Sequence, residues 1–289
     1  MSHFVTLVAA RGVLTAGLIA HAREASGGGA VHILSVGEAV DIECPTLPDP
    51  ESLRAALDGV PADAVVTARE GRRKRLLVAD MDSTIVTSET LDEMAAFAGL
   101  KDRVAAITRR SMNGEIDFTG ALRERVAILR GLPLDALQQT WERTQITSGA
   151  AELVATMRAN GALTALVSGG FTFFTSRVAA VLGFDKHRAN RLHDDGKVLM
   201  GTVADPILDR AAKLATLQDL AVRQGLDLSQ TLAVGDGAND LDMIAAAGLG
   251  IAFHAQPTVA AAARSQIVHT DLRALLFAQG YRADEFHPG

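Results

Sequence analysis

Three short apolar segments, each followed at once by a polar turn, limit what this chain can fold into. They are RLLVADMDS, ALTALVSGG and TLAVGDGAND, and long helical patterns such as AELVATMRAN and AAKLATLQDLAVRQ lie between them. Apolar strands that alternate with helices predict a parallel sheet covered by helices on both faces. The fold class is therefore α/β, a doubly wound parallel sheet.

The remaining segments predict a helical cap, a hairpin and a separate N-terminal domain. Residues 87–148 carry several helical patterns without a convincing strand, which indicates an inserted helical cap over the edge of the sheet. Residues 189–204 contain turn residues between apolar arms and predict a small hairpin. Residues 1–72 alternate strand and helix patterns in a small αβ domain, and the polar cluster GRRKR marks the border with the main domain, residues 73–289.

Composition excludes several classes of protein. The net charge of -6 argues against sequence-independent binding of nucleic acid, which requires a basic surface. The single cysteine, Cys44, rules out an internal disulfide framework and favours a cytoplasmic protein. The N-terminal stretch lacks the basic residues of a signal peptide before Arg11, and no apolar run reaches the roughly 18–20 residues of a membrane span, so no membrane association is expected.

The polar turns contain the residues that chemistry would need. In an extended chain, Asp80 and Asp82 point to the same side, where one carboxylate can attack as a nucleophile while the other transfers protons. Two like charges so close together call for a cation. Asp236 and Asp240 add hard oxygen ligands of the kind that Mg²⁺ prefers. Because parallel strands place their following turns at one edge of the sheet, these groups are expected to meet.

The second turn offers neutral hydrogen-bond donors for an anion. The hydroxyl of Ser168 and the backbone N–H groups of Gly169 and Gly170 can hold phosphate oxygens where a strand passes into a helix. Lys213, near the start of the helix before the third strand, is the best candidate for a fixed positive charge.

Taken together, DMDST, SGG, the lysine and GDGAND resemble, in this order and spacing, the haloacid dehalogenase-like phosphohydrolases and specifically the phosphoserine phosphatases. The cap segments SETLDEMA, MNGEIDF and ALRERVAILRGLP and the later segments ANRL and DLRALLFAQGY extend the resemblance over roughly residues 75–281. The resemblance implies Mg²⁺-dependent hydrolysis of O-phospho-L-serine to L-serine and phosphate through an aspartyl-phosphate, the last step of serine biosynthesis.

The resemblance also implies individual roles. Asp80 is similar to the nucleophile and Asp82 to the acid and base, with Asp80, Asp236 and the backbone carbonyl of Asp82 on the metal and Asp240 in support. The substrate-binding residues implied by the family are Glu89 for the substrate ammonium, Arg125 for its carboxylate, Met112 and Phe118 for the shape of the pocket, and Ser168, Gly169, Lys213 and Asn239 for the phosphate.

Simpler interpretations stay open for the cap residues. Glu89 lies near a helix start, where its negative charge can simply interact with the helix dipole. Arg125 can form a surface ion pair, and Met112 and Phe118 can belong to the hydrophobic core. Met81 stands where relatives often carry phenylalanine, and its side chain should face the core. The N-terminal domain resembles the ACT-like modules of longer relatives. A homodimer is compatible with the sequence, which is silent on oligomeric state.

Two other functions remain possible at this point. A phosphotransferase would form the same intermediate and pass the phosphoryl group to another alcohol, such as homoserine. A serine-sensing regulatory module would have lost turnover, although the intact set of Asp80, Asp82, Lys213 and Asp236 argues against that.

Overall fold

The N-terminal unit is a four-stranded antiparallel sheet with two helices on one face. The structure, a computed structural model, describes residues 2–112 and 115–289, without the side chain of Met112. The elements of the unit are β1 (His3–Ala9), α1 (Ala16–Ala25), β2 (Val31–Ser35), β3 (Ala39–Cys44), α2 (Pro50–Ala56) and β4 (Ala62–Ala68). Their sheet order, β2-β3-β1-β4, is that of a ferredoxin-like β-α-β-β-α-β unit.

The main body contains the predicted parallel sheet, in the order β12-β11-β10-β5-β6-β7. The strands are β5 (Leu76–Ala79), β6 (Leu163–Phe171), β7 (Lys186–Asn190), β10 (Thr231–Gly235), β11 (Leu249–Phe253) and β12 (Ser265–Ile267). The helices outside the cap are α7 (Ala150–Ala159), α8 (Thr172–Leu182), α9 (Arg210–Arg223), α10 (Leu241–Ala246), α11 (Pro257–Ala262) and α12 (Ala274–Ala278). The α/β class is confirmed, and the three predicted strands are the neighbours β10, β5 and β6.

The central strand β5 shows why its sequence is a continuous apolar run. Leu77 and Ala79 pack into the core on one face of the sheet, whereas Leu76 and Val78 pack into the core on the other face. All four residues are fully buried, so no position of the strand can be polar. The first polar residue, Asp80, therefore stands at the edge where the strand ends.

The cap consists of four helices, as far as residues 87–112 and 115–148 are described. They are α3 (Thr90–Phe97), α4 (Lys101–Met112), α5 (Phe118–Ile128) and α6 (Asp135–Arg143). The hairpin of β8 (Leu192–Asp194) and β9 (Leu199–Val203) is also present. It joins the cap, because Leu199 exchanges backbone hydrogen bonds with Gly131 and Leu132, and Val198 pairs with Pro133.

The cap is attached to the sheet through two paired segments. The entering segment follows an irregular turn at residues 81–85, where Ser83 adopts a left-handed conformation with φ of 54°. Val86 then pairs in antiparallel fashion with Ile146 of the leaving segment, and Thr147 N–H donates to the carbonyl of Ile85 at 2.9 Å. No helix among the described residues is both long enough and apolar enough to cross a membrane.

Candidate active site

The three polar turns meet at the carboxyl edge of the sheet, because β10, β5 and β6 are adjacent and parallel. Oxygen atoms of Asp80, Asp236 and Asp240 all lie within 4.8 Å of one another. Asp80 immediately follows β5, whereas Asp236 and Asp240 follow β10, so residues more than 150 positions apart form one cluster. The sequence predicted this meeting.

Lys213 lies inside the cluster of carboxylates. Its Nζ is 2.8 Å from Asp80 Oδ1 and 2.6 Å from Asp240 Oδ1, and its side chain is fully buried. Asp209 caps the start of α9 by accepting from Ala212 N–H, which sets the position of Lys213 in the first turn of that helix. Burial alone would lower the pKa of Lys213, but the charges of Asp240 and Asp80 outweigh burial and raise it.

One ammonium group does not balance three carboxylates, so the cluster keeps an excess of negative charge. Burial and the charges of Asp80 and Asp240 raise the pKa of Asp236 to about 8. A divalent metal ion would relieve this repulsion, and the carboxylate oxygens are the ligands that hard divalent cations prefer. The donor set therefore fits such an ion.

Asp82 occupies a different environment from the carboxylate cluster. Its Oδ1 accepts from Thr90 N–H at 2.9 Å, and its Oδ2 accepts from the Ser168 hydroxyl at 3.3 Å. Burial, with a further contribution from the charge of Glu89, raises the pKa of Asp82 to about 7. A carboxyl group with such a pKa can both release and accept a proton near neutral pH.

The SGG turn leaves room for this carboxylate only because it lacks side chains. A Cβ at Gly170 would lie 2.6 Å from Asp82 Oδ2, and Gly170 N–H donates to Ser168 Oγ at 2.8 Å. A Cβ at Gly169 would meet the ring of Phe118 at 3.1 Å and the amide of Asn239 at 3.7 Å. The predicted residues Phe118 and Asn239 therefore both lie beside the turn.

The cap brings further predicted residues to the same cleft. Glu89 immediately precedes α3 and accepts from the Ser83 hydroxyl at 2.7 Å, without a side-chain hydrogen bond to the helix start. Burial raises its pKa. Arg125 has its pKa lowered by burial, against the opposing charges of Asp92, Glu89 and Asp82. Its Nε donates to the carbonyl of Ala121, and no ion pair links it to a described residue.

Arg123 behaves differently from its neighbour on α5. Its guanidinium forms an exposed ion pair with Asp205 at 2.6 Å. Met81 is fully buried in the core, as expected. Met112 ends α4, and its side chain lies outside the described part of the chain.

Sequence reasoning missed three polar contacts in the site. The Thr84 hydroxyl donates to Asp236 Oδ1 at 3.2 Å, Thr90 N–H binds Asp82, and the Asn190 side chain donates to the carbonyl of Gly169 at 2.8 Å. Thr84 was visible in DMDST and Asn190 in ANRL. Thr90 acts through its backbone, which leaves no signal in the sequence.

Comparison with known proteins agrees with this architecture. The family model for haloacid dehalogenase-like hydrolases matches residues 77–245, a stretch that contains the aspartates, the SGG turn and Lys213. The chain belongs to the haloacid dehalogenase-like hydrolases. The helical cap lies within the matched residues, whereas the N-terminal unit lies before them.

Several curated phosphoserine phosphatases are similar to this chain in sequence. A phosphoserine phosphatase from Streptococcus thermophilus is 46% identical over 199 residues, which cover 69% of this chain and 93% of the relative. Three further curated phosphoserine phosphatases are longer, and the chain spans about half of their length, at 54%, 52% and 56%.

Solved structures resemble both parts of the molecule. A haloacid dehalogenase family hydrolase from Salmonella enterica serovar Typhi aligns with a TM-score of 0.86 at 28% identity, covering 96% of this chain and 98% of that one. A phosphoserine phosphatase solved as a phospho-aspartyl intermediate analogue aligns with a TM-score of 0.66 at 40% identity, covering 71% of this chain and 98% of that one.

Proposed function

We propose that the protein is a Mg²⁺-dependent phosphatase that hydrolyses O-phospho-L-serine to L-serine and inorganic phosphate. One observation carries the proposal. The carboxylate of Asp80 lies against Lys213 and the acidic cluster, and Asp82, whose pKa is raised, lies beside the SGG turn at the same edge of the sheet. Phosphoserine phosphatases at 46% and 40% identity support the choice of substrate.

In the first step, a carboxylate oxygen of Asp80 attacks phosphorus and the bond from phosphorus to the serine oxygen breaks. Asp82 gives its proton to the departing serine oxygen, so serine leaves as a neutral alcohol. The relative solved as a phospho-aspartyl analogue supports an aspartyl-phosphate as the product of this step.

In the second step, water attacks the phosphorus of the aspartyl-phosphate. Asp82, now a carboxylate, accepts a proton from that water, and the bond from phosphorus to Asp80 breaks. Phosphate leaves, and both aspartates return to their starting protonation states. The hydrogen bonds from Thr90 N–H and the Ser168 hydroxyl hold the Asp82 carboxyl in place for both transfers.

The residues that would hold Mg²⁺ are Asp80 and Asp236 through their carboxylates and Asp82 through its backbone carbonyl, with Asp240 supporting the set. When bound, the ion supplies positive charge that draws the phosphate toward the otherwise repulsive Asp80. Asp240 accepts from Gly237 N–H at 3.1 Å as well as from Lys213, so it orients the lysine.

The phosphate oxygens would bind Ser168, the Gly169 backbone, Lys213 and Asn239. These groups present a hydroxyl, an N–H group, an ammonium and an amide, which suit the charge that spreads over the oxygens in transfer. Positioning and neutralisation of charge should therefore contribute most of the acceleration.

The serine part of the substrate would lie toward the cap. Its ammonium would pair with Glu89 and its carboxylate with the guanidinium of Arg125, which can bind a carboxylate in bidentate fashion. Phe118, half-buried and beside Gly169, would limit the size of the pocket. Met112 is proposed for the same role on the resemblance alone.

Other features remain predictions. We place the domain border at residues 72–73, the cap at about 87–148 and the hairpin at about 189–204, and we expect an ACT-like role for residues 1–72. Cytoplasmic location is supported by the lone, buried Cys44. A homodimer without nucleic-acid or membrane partners can be tested by sedimentation and by binding assays.

The function is tested by measuring phosphate and serine released from O-phospho-L-serine with Mg²⁺, with and without added homoserine. A phosphatase releases the two products in equal amounts in both cases, and Asp80→Asn abolishes release without changing the circular dichroism spectrum. Formation of phosphohomoserine would instead indicate a phosphotransferase, and release that persists in Asp80→Asn would contradict the nucleophile. Turnover that is unchanged in EDTA would contradict the role of the metal.

A further inference from the structure

The segment that leaves the cap is anchored on the turn before α12. The Ser148 hydroxyl donates to Asp271 Oδ2 at 2.8 Å, and Leu272 N–H donates to the carbonyl of Ser148 at 3.1 Å. Gly149 has φ of +79°, and a Cβ there would lie 2.6 Å from the backbone nitrogen of Arg273. The close approach of the two segments therefore depends on a residue without a side chain.

The same turn is held by the N-terminal unit. Asp271 Oδ1 accepts from the backbone N–H and from Nε of Arg273, at 3.0 and 3.1 Å. The other end of that guanidinium reaches Glu38, with Nη2 at 2.9 Å from Oε1. Burial alone would lower the pKa of Arg273, but the hydrogen bond and charge of Asp271, together with Glu38, raise it.

Glu38 is suited to a fixed contact rather than a loose surface pair. Only 5% of the residue is exposed, and its second oxygen, Oε2, accepts from the Ser35 hydroxyl at 2.7 Å. A buried carboxylate whose partner is removed keeps the cost of its lost hydration, so Glu38 strongly favours the docked position of Arg273.

The four side chains thus form a continuous polar connection from the N-terminal unit to the cap. We propose that this connection, Glu38–Arg273–Asp271–Ser148, fixes the position of the segment by which the cap leaves the sheet. That segment is the hinge of the cap, and its position determines where the cap residues lie when the cap closes over the site. Arg273 and Ser148 are then positioning residues that act through the cap. The effect on turnover rests on the proposed function, whereas the effect on the hinge does not.

The backbone amides of the hinge report whether the connection holds the hinge in place. Thr147 N–H donates to Ile85, Thr87 N–H donates to Gln145 at 3.0 Å, and Leu272 N–H donates to Ser148. Hydrogen–deuterium exchange of these amides in the 289-residue chain reports local opening at the hinge. Global unfolding also breaks the connection, so the reference must be local. The amides of Gln224 and Leu226, at the end of α9 on the other face of the sheet, open without breaking the connection.

The first variant is Glu38→Gln, which keeps the shape and one of the two acceptor oxygens but removes the charge. We expect exchange at the hinge amides to become about tenfold faster, the factor that corresponds to about 1.4 kcal/mol, with the reference amides at the end of α9 unchanged. Glu43→Gln is the matched control, because Glu43 pairs with Arg69 and His32 inside the N-terminal unit. It should leave the hinge amides at the wild-type rate.

The second variant breaks the connection at its other end. Ser148→Ala should speed exchange at Thr147 and Thr87 to a similar degree, and the double variant with Glu38→Gln should show less than the product of the two single effects. Wild-type exchange at the hinge in Glu38→Gln would overturn the proposal. Equal acceleration at the hinge and at the end of α9 would also overturn it, since openings at the end of α9 do not break the connection.

The effect on turnover is measured as KM and kcat of wild type and Glu38→Gln with O-phospho-L-serine and Mg²⁺. If the cap closes in a displaced position in Glu38→Gln, KM should rise several-fold, because Glu89 and Arg125 bind the serine part of the substrate. The kcat should fall as well, because Thr90 N–H would hold Asp82 less well. Unchanged KM and kcat with a loosened hinge would overturn the coupling to turnover while leaving the hinge result intact. A wild-type protein that does not turn over at all refutes the proposed function and not the hinge.

Discussion

Replacement of Lys213 by methionine should remove the positive charge that compensates the acidic cluster, and the structure allows us to estimate the resulting loss of stability. Methionine has a similar length and fits an apolar environment, so the change removes a charge with little change in volume. The lysine is fully buried between Asp80 at 2.8 Å and Asp240 at 2.6 Å. Its removal leaves two buried carboxylates, and a third from Asp236, without a compensating cation.

Breaking a buried ion pair by removing one partner typically costs about 3–5 kcal/mol. At about 2–4 °C for each kcal/mol, the midpoint of thermal unfolding in EDTA should fall by roughly 6–20 °C. Added Mg²⁺ should recover part of this loss, because it neutralises the same carboxylates. Hydrolysis should fall by at least about 100-fold, as for loss of a charge-stabilising donor.

The assay is thermal unfolding of wild type and Lys213→Met in EDTA and in Mg²⁺. Lys74→Met is the matched control, because among the residues that the structure describes the Lys74 ammonium donates to two backbone carbonyls, those of Gly71 and Ser229, and to no carboxylate. It should cost about 1 kcal/mol, with no dependence on Mg²⁺. A loss below about 1 kcal/mol in EDTA for Lys213→Met, or a loss that is equal with and without Mg²⁺, would show that the cluster does not depend on this charge.

Three further predictions concern the site. Arg125→Ala should raise KM for O-phospho-L-serine at least about tenfold while sparing p-nitrophenyl phosphate, with Arg123→Ala as control; equal losses on both substrates would contradict carboxylate binding. Gly170→Ala should lower kcat about 100-fold by pushing the Asp82 carboxylate out of place, and wild-type kcat would refute that contact. Because the pKa of Asp236 is raised to about 8, the protein without a cation loses stability as the pH rises from near 4 to 8. Thermal unfolding should therefore show a larger stabilisation by Mg²⁺ at pH 8 than at pH 5, whereas an equal increment would contradict this.

Some strands could not be predicted because their sequences lack the usual pattern. β7 reads KHRAN, with three exposed side chains at the edge of the sheet, and β12 has only three residues. Edge strands need backbone pairing but little apolar surface, so alternation of apolar and polar residues is absent. The hairpin and the cap helices, by contrast, carry local turn and helix signals and were predicted.

The irregular turn after β5 shows the limit of local reasoning about the site. The spacing of Asp80 and Asp82 suggested two carboxylates on one side of an extended chain. In the structure the backbone over residues 81–85 forms an irregular turn and not an extended chain. Asp82 binds Thr90 N–H and Ser168, whereas Asp80 joins Asp236 and Asp240. Local spacing could not reveal these partners, because they come from the cap and from other strands.

The sequence by itself determined the α/β class, the helical cap and the identity of the polar turns, since each is recorded in local periodicity or in a contiguous motif. Only the tertiary structure decided that Lys213 lies between two carboxylates, that Gly170 makes room for Asp82, and that Glu38 reaches the hinge of the cap through Arg273. These contacts join residues far apart in the chain. Their energies depend on burial and distance, which exist only after the sheet and the N-terminal unit have packed.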